Sequence, residues 1–325
     1  MKKSNLIIFS VLSFLLAVAG CGDNSDTNEN NRGSTAEGTQ TVVRETVTVA
    51  YLPITHSLAV LESAEETIRN QLNDFKVELV KFGSWPELLD ALNTGRVDGA
   101  IVLVELAMKA REHGIPIKVV ALGHTDGNVL IGANDIQDFA NVKGKTLAIP
   151  HRQSSHHILI QEALEKNGLT AGDVKLTELA PTEMPSALAS NQVGGYCVAE
   201  PFGAVAVQHN LGKVLYSSEE LWPDSVCCGL VLTEKFIKEH NLLAHNFVKH
   251  YKEAGKKLND KAEALNIARK YLKQRDEVLE LSLKWIKFDN LELTRDRYES
   301  LISKVVKYGL SNNPPQYEDF VADDF

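Results

Sequence analysis

The chain has few cysteines, no excess of positive charge and no long apolar run beyond its N-terminus. Its four cysteines form neither a CxxC motif nor the Cys/His spacing of a zinc finger, so the sequence predicts no metal centre and no cofactor. A net charge of −9 argues against nucleic acid as a partner. The length of 325 residues, 44% of them hydrophobic, fits a globular protein with two domains.

The N-terminus carries a targeting signal. Lys2 and Lys3 precede an apolar run over residues 6–19, which is too short for an ordinary membrane span. The run ends in VAGC, which resembles a bacterial lipobox. That resemblance implies a signal peptide over residues 1–20 and a lipid on Cys21, which would anchor the chain to a membrane. A secretory peptide followed by a chance cysteine is the alternative.

A polar stretch separates this signal from the folded body. Residues 22–41 read GDNSDTNENNRGSTAEGTQT and contain almost no large apolar side chain. Such a composition cannot form a core, so residues 21–45 are predicted to be the lipidated cysteine and a flexible tether.

Strand-like apolar runs alternate with helical periodicity in two successive series. This alternation predicts βαβ units and mostly parallel sheets in two α/β lobes. We expect the chain to cross between the lobes near residues 123–131 and 217–232. The lobes would then comprise residues 46–125 with 228–325, and residues 126–227.

Ligands of open parallel sheets bind beyond the carboxyl ends of the strands. The loops at these ends would line a cleft between the two lobes. They are residues 53–57, 83–86, 104–106, 123–128, 150–156 and 199–202.

Five segments occur in an order that resembles one protein family. They read VAYLPITHSLAV, FGSWPELLDALNTGRVDGAIV, GKTLAIPHRQSSHHILIQEALEKNGL, LAPTEMPSALASNQVGGYCVAEPFGAVAV and SEELWPDSVCCGLVLTEKFIKEH. The family is that of the solute-binding proteins of ABC importers for nitrate, bicarbonate, sulfonates and thiamine precursors. The nitrate/bicarbonate branch is the most similar, through CVAEPFGA and ELWPD.

The resemblance implies a type II periplasmic-binding-protein fold whose two lobes close on one small molecule. It implies a monomer without enzymatic activity, at the extracytoplasmic face of the cell membrane, that delivers its solute to a permease with an ATPase. Two alternatives stay open. One is an exported sensor of the same fold, and the other is an enzyme related to pyrimidine synthesis that uses His156 as a base.

Several side chains of the cleft loops are candidate ligands. Ser154 and Ser155 stand at a predicted helix start, where N–H groups and hydroxyls suit an anionic or polar solute, although serine also serves as a plain N-cap. The resemblance matches His156 and Trp85 to pocket residues of the nitrate branch, and Asn128 to its ligand-binding glutamine. Further candidates from the loops are His56, His124, Glu105 and Glu200.

The segment after ELWPD departs from the nitrate branch. That branch carries a lysine that pairs with the anion, whereas this chain has Cys227 and Cys228, of which we select Cys228 as a ligand contact. The departure leaves a neutral or guanidine-like cationic solute open, with Glu105, Asp126 or Glu200 as countercharge.

Cys197 could form a disulfide with either Cys227 or Cys228, but buried free thiols are favoured. The histidines of HRQSSHH (residues 151–157) share no carboxylate, which argues against a metal site there.

Overall fold

The computed structural model describes residues 44–70 and 75–325. Residues Val43–Phe325 form one compact unit. The predicted signal peptide, Cys21 and nearly all of the predicted tether lie outside the described residues.

The strands of the described part follow the predicted series closely, with additions at the two crossings. In chain order they are β1 (Glu45–Tyr51), β2 (Phe75–Lys81), β3 (Gly99–Leu103), β4 (Ile117–Leu122), β5 (Thr125–Asp126), β6 (Asn128–Ala133), β7 (Thr146–Ile149), β8 (Lys175–Glu178), β9 (Gly195–Ala199), β10 (Gly212–Ser217), β11 (Cys228–Thr233) and β12 (Ile286–Lys287).

Helices connect these strands and form most of the chain after β11. They are α1 (Leu58–Arg69), α2 (Trp85–Asn93), α3 (Val104–Glu112), α4 (Ser155–Lys166), α5 (Met184–Ala189), α6 (Phe202–Gln208), α7 (Ser218–Leu221), α8 (Glu234–Glu239), α9 (Asn241–Lys257), α10 (Lys261–Leu272), α11 (Asp276–Ser282), α12 (Arg295–Lys307) and α13 (Tyr317–Phe320). None of the helices in the described ranges combines the length and the apolar character that a membrane span requires.

The first sheet has the strand order β2-β1-β3-β11-β4. β1 is parallel to β2 and β3, whereas β11 is antiparallel to its neighbours β3 and β4. Every residue of β3 and β11 is buried, as expected for strands at the centre of a sheet that is covered on both faces. The first sheet is therefore an open α/β sheet with one reversed strand.

The second sheet has the order β10-β6-β9-β7-β8 and repeats this plan. β7 is parallel to β8 and β9, while β6 is antiparallel to β9 and β10. Together the two sheets confirm the predicted α/β architecture with two lobes.

The two crossings are more regular than the sequence suggested. The sequence predicts connections near residues 123–131 and 217–232, but much of each range is a strand, β6 and β11 respectively. Their runs NVLIGA and CGLVLT are apolar, and both strands are buried almost throughout, so burial in a sheet outweighs their role as linkers. A small third sheet pairs β5 with β12.

Candidate functional site

The first sheet delivers its candidate residues to one edge. His56, Trp85 and Glu105 follow the carboxyl ends of β1, β2 and β3, which run in the same direction. β11 runs the opposite way, so its first residue, Cys228, pairs with Leu103 at the end of β3. Strand direction therefore gathers these side chains at a single edge.

The second sheet does the same with its own candidates. Ser155 and His156 follow β7, and Glu200 follows β9. Asn128 begins the reversed strand β6 and pairs with Ala199 at the end of β9.

The loops of the two sheets contact each other at these edges. Thr55 follows β1 of the first sheet, and its backbone N–H donates to the carbonyl of Glu200 at 2.8 Å. The hydroxyl of Thr55 donates to the same oxygen at 3.1 Å. The candidate residues are all buried at these two contacting edges, and we call this part of the structure the enclosed region.

Four side chains converge most closely in this region. The donor atoms of His56, His124, Cys227 and Cys228 all lie within 4.8 Å of one another, and all four residues are buried. The rings of His56 and His124 stack with their centroids 3.6 Å apart. We call these four residues the His/Cys cluster. It differs from the sequence-based expectation of no metal-binding group, and it includes Cys227, which we had not selected.

The distances from the His56 ring to its neighbours define how it contacts the two sulfurs. Its Nδ1 atom lies 3.6 Å from Cys227 Sγ and 3.5 Å from Cys228 Sγ. The two sulfurs are 3.8 Å apart. On the other side of the ring, Nε2 lies 3.0 Å from the carbonyl oxygen of Gly127. A carbonyl only accepts, so Nε2 carries the proton and Nδ1 presents its lone pair to the sulfurs.

The backbone fixes the cysteines. The carbonyl of Cys227 accepts from Val104 N at 2.8 Å, and that of Cys228 accepts from Gly123 N at 2.7 Å. Cys228 N–H donates to Nε2 of His124 at 3.4 Å. A Cβ at Gly123 would lie 2.8 Å from the carbonyl oxygen of His56, so glycine permits the close approach of the two loops.

Burial controls the charge of the surrounding groups. It is the main reason that the pKa of His124 and that of His156 fall to about 4, and the neighbouring His56 lowers both further. Both imidazoles are therefore neutral at pH 7. Burial, followed by the charge of Cys227, raises the pKa of the Glu105 carboxyl well above its usual range.

The two thiols behave differently from each other. Burial opposes ionisation of Cys227, but the hydrogen bond from Cys228 and the adjacent imidazoles of His56 and His156 lower its pKa well below the usual value. Burial and the adjacent Cys227 raise the pKa of Cys228 well above it. Of the two thiols, Cys227 is therefore the one that ionises first. Cys197, Cys227 and Cys228 are all free and buried in the structure.

Several candidate side chains are buried with polar atoms that have no protein partner. A buried polar atom without a partner is costly, so these atoms are suited to bonds with an enclosed solute. They are Trp85 Nε1, both carboxyl oxygens of Glu105, His124 Nδ1, Asn128 Nδ2, Ser155 Oγ and both ring nitrogens of His156.

Other candidates already have structural partners. Ser154 Oγ donates to the carbonyl of His151 at 2.6 Å and accepts from His157 N at 3.3 Å, which makes it the N-cap of α4. Glu200 Oε2 accepts from Ala204 N at 3.1 Å, at the start of α6. For Ser154 the geometry favours the structural alternative, whereas Glu200 also has a buried oxygen, Oε1, without a protein partner. Ligand contact stays a prediction for both residues.

The three histidines of residues 151–157 do not converge. Nδ1 of His157 lies 2.9 Å from the carbonyl of Arg152, and its Nε2 lies 3.1 Å from Gln161 Nε2. His151 Nδ1 accepts from Gln153 N at 2.9 Å. Only His156 enters the enclosed region, where its pKa is affected by Cys227 and His56.

Cys227 is the residue that sequence reasoning missed. The adjacent Cys-Cys pair was visible, but residues 56, 124 and 227–228 are far apart in the sequence, and no short motif joins them. Only the reversed direction of β11 brings the pair to the edge where the histidines lie.

Comparison with solved structures supports the fold. A ligand binding component of an ABC-type import system from Staphylococcus aureus, solved with zinc bound, is 38% identical, with a TM-score of 0.82 over 86% of this chain and 97% of that one. The periplasmic nitrate-binding protein NrtA from Synechocystis is 16% identical, with a TM-score of 0.78 over 87% of each chain. At that identity the second likeness concerns the fold alone, which is the periplasmic-binding-protein fold.

Sequence comparison finds curated relatives and a family. The nitrate import ATP-binding protein NrtC of Synechocystis is 24% identical over 236 residues, which are 66% of this chain and 35% of that protein. The chain thus spans about a third of the length of this relative. The profile of the NMT1-like family matches residues 41–272, well over half of the chain. The chain belongs to the NMT1-like family.

Proposed function

We propose that this chain is the extracytoplasmic solute-binding component of an ABC importer. The observation that carries the proposal is the convergence of side chains from both sheets on one enclosed region. There, Trp85 Nε1, Asn128 Nδ2 and both ring nitrogens of His156 lack protein partners. A solute captured between the lobes would supply the missing hydrogen-bond partners.

The relatives agree with this role. The Staphylococcus aureus protein is named as a ligand binding component of an ABC-type import system, and other solved relatives are nitrate-binding and aliphatic sulphonate-binding periplasmic proteins. Such a component delivers its solute to a permease with an ATPase, and we propose no catalytic residue. Residues 46–125 with 228–325 would form one lobe and residues 126–227 the other, with the body held at the cell membrane by a lipid on Cys21.

The charge of the site limits the solute. The resemblance implies a lysine in the nitrate branch where this chain has Cys227 and Cys228. Glu105 adds a buried carboxyl nearby. An anion such as nitrate, bicarbonate or a sulfonate would find neutral hydrogen-bond donors but no cation from these residues. A guanidine-like compound or a metal ion fits these groups better, and the zinc in the Staphylococcus aureus relative adds the second class to the candidates.

A thermal-shift screen of the purified chain tests the capture of a solute. The panel comprises nitrate, bicarbonate, taurine, other alkanesulfonates, guanidine, urea, pyrimidines and zinc. A solute at one hundred times its Kd stabilises the folded chain by about 2.7 kcal/mol, which raises the unfolding midpoint visibly. We expect one class of solute to produce this shift.

Two neighbouring histidines of α4 provide matched variants. His156→Ala should reduce or abolish the shift, since His156 faces the enclosed region with both nitrogens unpartnered. His157→Ala should leave the shift intact, because His157 forms its bonds with Arg152 and Gln161 of its own segment. Equal effects of the two variants would contradict this placement of the site.

Uptake by cells tests the transport role. Cells that lack the chain should import the solute identified in the screen more slowly than cells that carry it, and reintroducing the chain should restore uptake. If uptake is the same with and without the chain, the proposed function is wrong.

A further inference from the structure

The His/Cys cluster has the composition of a metal site, and three of its four donors have the spacing of one. We infer that His56, His124, Cys227 and Cys228 bind a thiophilic transition-metal ion of the zinc type. The coordination is argued from the geometry of this chain. The further point, that the ion is the imported solute, rests on the proposed function.

Three distances match the edges of a metal-centred tetrahedron. With bonds of about 2.3 Å to sulfur and about 2.05 Å to nitrogen, a tetrahedral zinc ion separates two sulfurs by about 3.8 Å and a sulfur from a nitrogen by about 3.6 Å. The two sulfurs here are 3.8 Å apart, and Nδ1 of His56 lies 3.6 Å and 3.5 Å from them. All four donors lie within 4.8 Å of one another.

Hydrogen bonding accounts for the arrangement of the two sulfurs only through one long contact. Both Cys227 Sγ and Cys228 Sγ approach the same nitrogen of His56, which has a single lone pair. Only one S–H group can donate to that lone pair, which leaves Cys227 with a long contact of 3.9 Å to Asn128 Oδ1 as its other acceptor. A metal ion between the three atoms satisfies all of them at once.

His56 also has the outer contact that metal-bound histidines have. Its Nε2–H donates to the carbonyl of Gly127 at 3.0 Å, which fixes the ring orientation and leaves Nδ1 free as the ligand atom. The contact forms with the segment that follows His124. The two histidine segments of the cluster are therefore held together through the backbone.

The filled site is balanced in charge. Binding of a divalent ion by two thiols and two neutral imidazoles forms two metal–sulfur and two metal–nitrogen bonds and releases two thiol protons to solvent. His124 gives up the hydrogen bond that its Nε2 accepts from Cys228 N–H, because the metal takes the only lone pair of the ring. No oxidation or reduction takes place. The product carries no net charge, which suits a cluster in which every residue is buried. Sulfur and imidazole donors favour zinc and related thiophilic ions over magnesium or calcium.

Metal titration of the full-length chain, purified without a histidine tag and kept reduced, tests the inference. Zinc is titrated against a competing chelator, and cobalt is added as a spectroscopic probe. We expect one zinc ion per chain. We also expect thiolate-to-cobalt charge-transfer absorption, which zinc should abolish.

Matched cysteine variants locate the bound metal. Cys227→Ala and Cys228→Ala should each weaken zinc binding by more than the roughly 10- to 100-fold typical for loss of an outer contact. Cys197→Ala is the control, because Cys197 is an equally buried free thiol in β9 that is not part of the cluster. The Cys197→Ala variant should bind zinc with the affinity of the unmodified chain. Circular dichroism verifies that each variant folds.

The outcomes separate this inference from the proposed function. The absence of zinc binding, or binding that survives in Cys227→Ala and Cys228→Ala, overturns the metal site, whereas chain-dependent uptake of another solute would still support the importer. Zinc bound by the cluster, together with zinc uptake that does not depend on the chain, overturns the assignment of the ion as imported solute. Zinc binding with chain-dependent uptake of labelled zinc supports both.

Discussion

His56 donates from Nε2 to the carbonyl oxygen of Gly127 at 3.0 Å and thereby turns its Nδ1 toward the two adjacent cysteines. Gly127 has a φ of +83°, and a Cβ there would lie 2.9 Å from the side chain of Ile286. A glycine required by the backbone thus orients a histidine of the cluster.

Gly127→Ala tests this relationship. The substitution strains a left-handed backbone and forces Ile286 to shift, so we expect a loss of stability of about 1–2 kcal/mol. Movement of the carbonyl should also weaken zinc binding about tenfold, as loss of an outer contact does. Urea unfolding and zinc titration measure the two effects.

Gly144→Ala is the control for that substitution. Gly144 has a similar φ of +78°, but nothing lies within 4 Å of a Cβ there. Gly144→Ala should lose only the stability that corresponds to the backbone strain, and its affinity for zinc should be unchanged. Unchanged zinc affinity in Gly127→Ala would show that the carbonyl does not orient His56.

Variants of Ser154 and Ser155 distinguish helix capping from contact with the solute. Ser154 caps α4, so Ser154→Ala should lower the free energy of unfolding by about 1 kcal/mol. Ser155 Oγ is buried without a partner, so Ser155→Ala should leave the stability of the solute-free chain unchanged or raise it slightly. Urea denaturation of both variants without solute measures the difference, and equal losses would contradict these roles.

Glu200 gives the chain a pH-dependent stability. Burial raises its pKa from an ordinary value of 4.5 to about 8. Between these values the folded chain holds a proton that the unfolded chain has released, so the contribution of Glu200 to stability declines as the pH rises. The free energy of unfolding can fall by at most about 1.4 kcal/mol per pH unit through this one group.

Glu200→Gln removes this titration and keeps an oxygen that can accept from Ala204 N. Relative to the unmodified chain, the variant should become progressively more stable from pH 5 to pH 8. Urea unfolding at several pH values measures this difference. A difference that is constant with pH would show that Glu200 ionises freely in the folded chain.

Cys21 is predicted to carry the lipid anchor. Cys21→Ser should prevent lipidation, so the chain should lose its lipid label and leave the membrane fraction, because no other anchor is predicted. Membrane fractionation with metabolic labelling by a fatty acid measures both effects. A variant that stays lipidated would show that the lipobox assignment is wrong.

The sequence predicted much of the fold because its signals are local. Apolar runs bounded by turn residues predicted β1 and β4, and helical periodicity predicted α4, each to within a few residues. β6 and β11 were missed although their own runs are apolar, because residues 123–131 and 217–232 were assigned as connections between lobes and the pairing of these strands is with distant parts of the chain.

The candidate site was less predictable, for the same reason. Resemblance and loop position identified His56, His124 and Cys228 separately, but they gave no distances between them. The convergence of His56 with Cys227 spans 171 positions of the chain and follows from the reversed direction of β11. The partners of Ser154 and Glu200 likewise depend on the local backbone.

X-ray absorption spectroscopy of the zinc-loaded, full-length chain is the most direct measurement of the central claim, because it reports the atoms bound to the metal. We predict two sulfur neighbours at about 2.3 Å and two nitrogen neighbours at about 2.0–2.1 Å. Loss of one sulfur neighbour of the zinc in Cys227→Ala, but not in Cys197→Ala, would assign the metal-bound atoms to the His/Cys cluster. A shell of oxygen and nitrogen without sulfur would contradict the account.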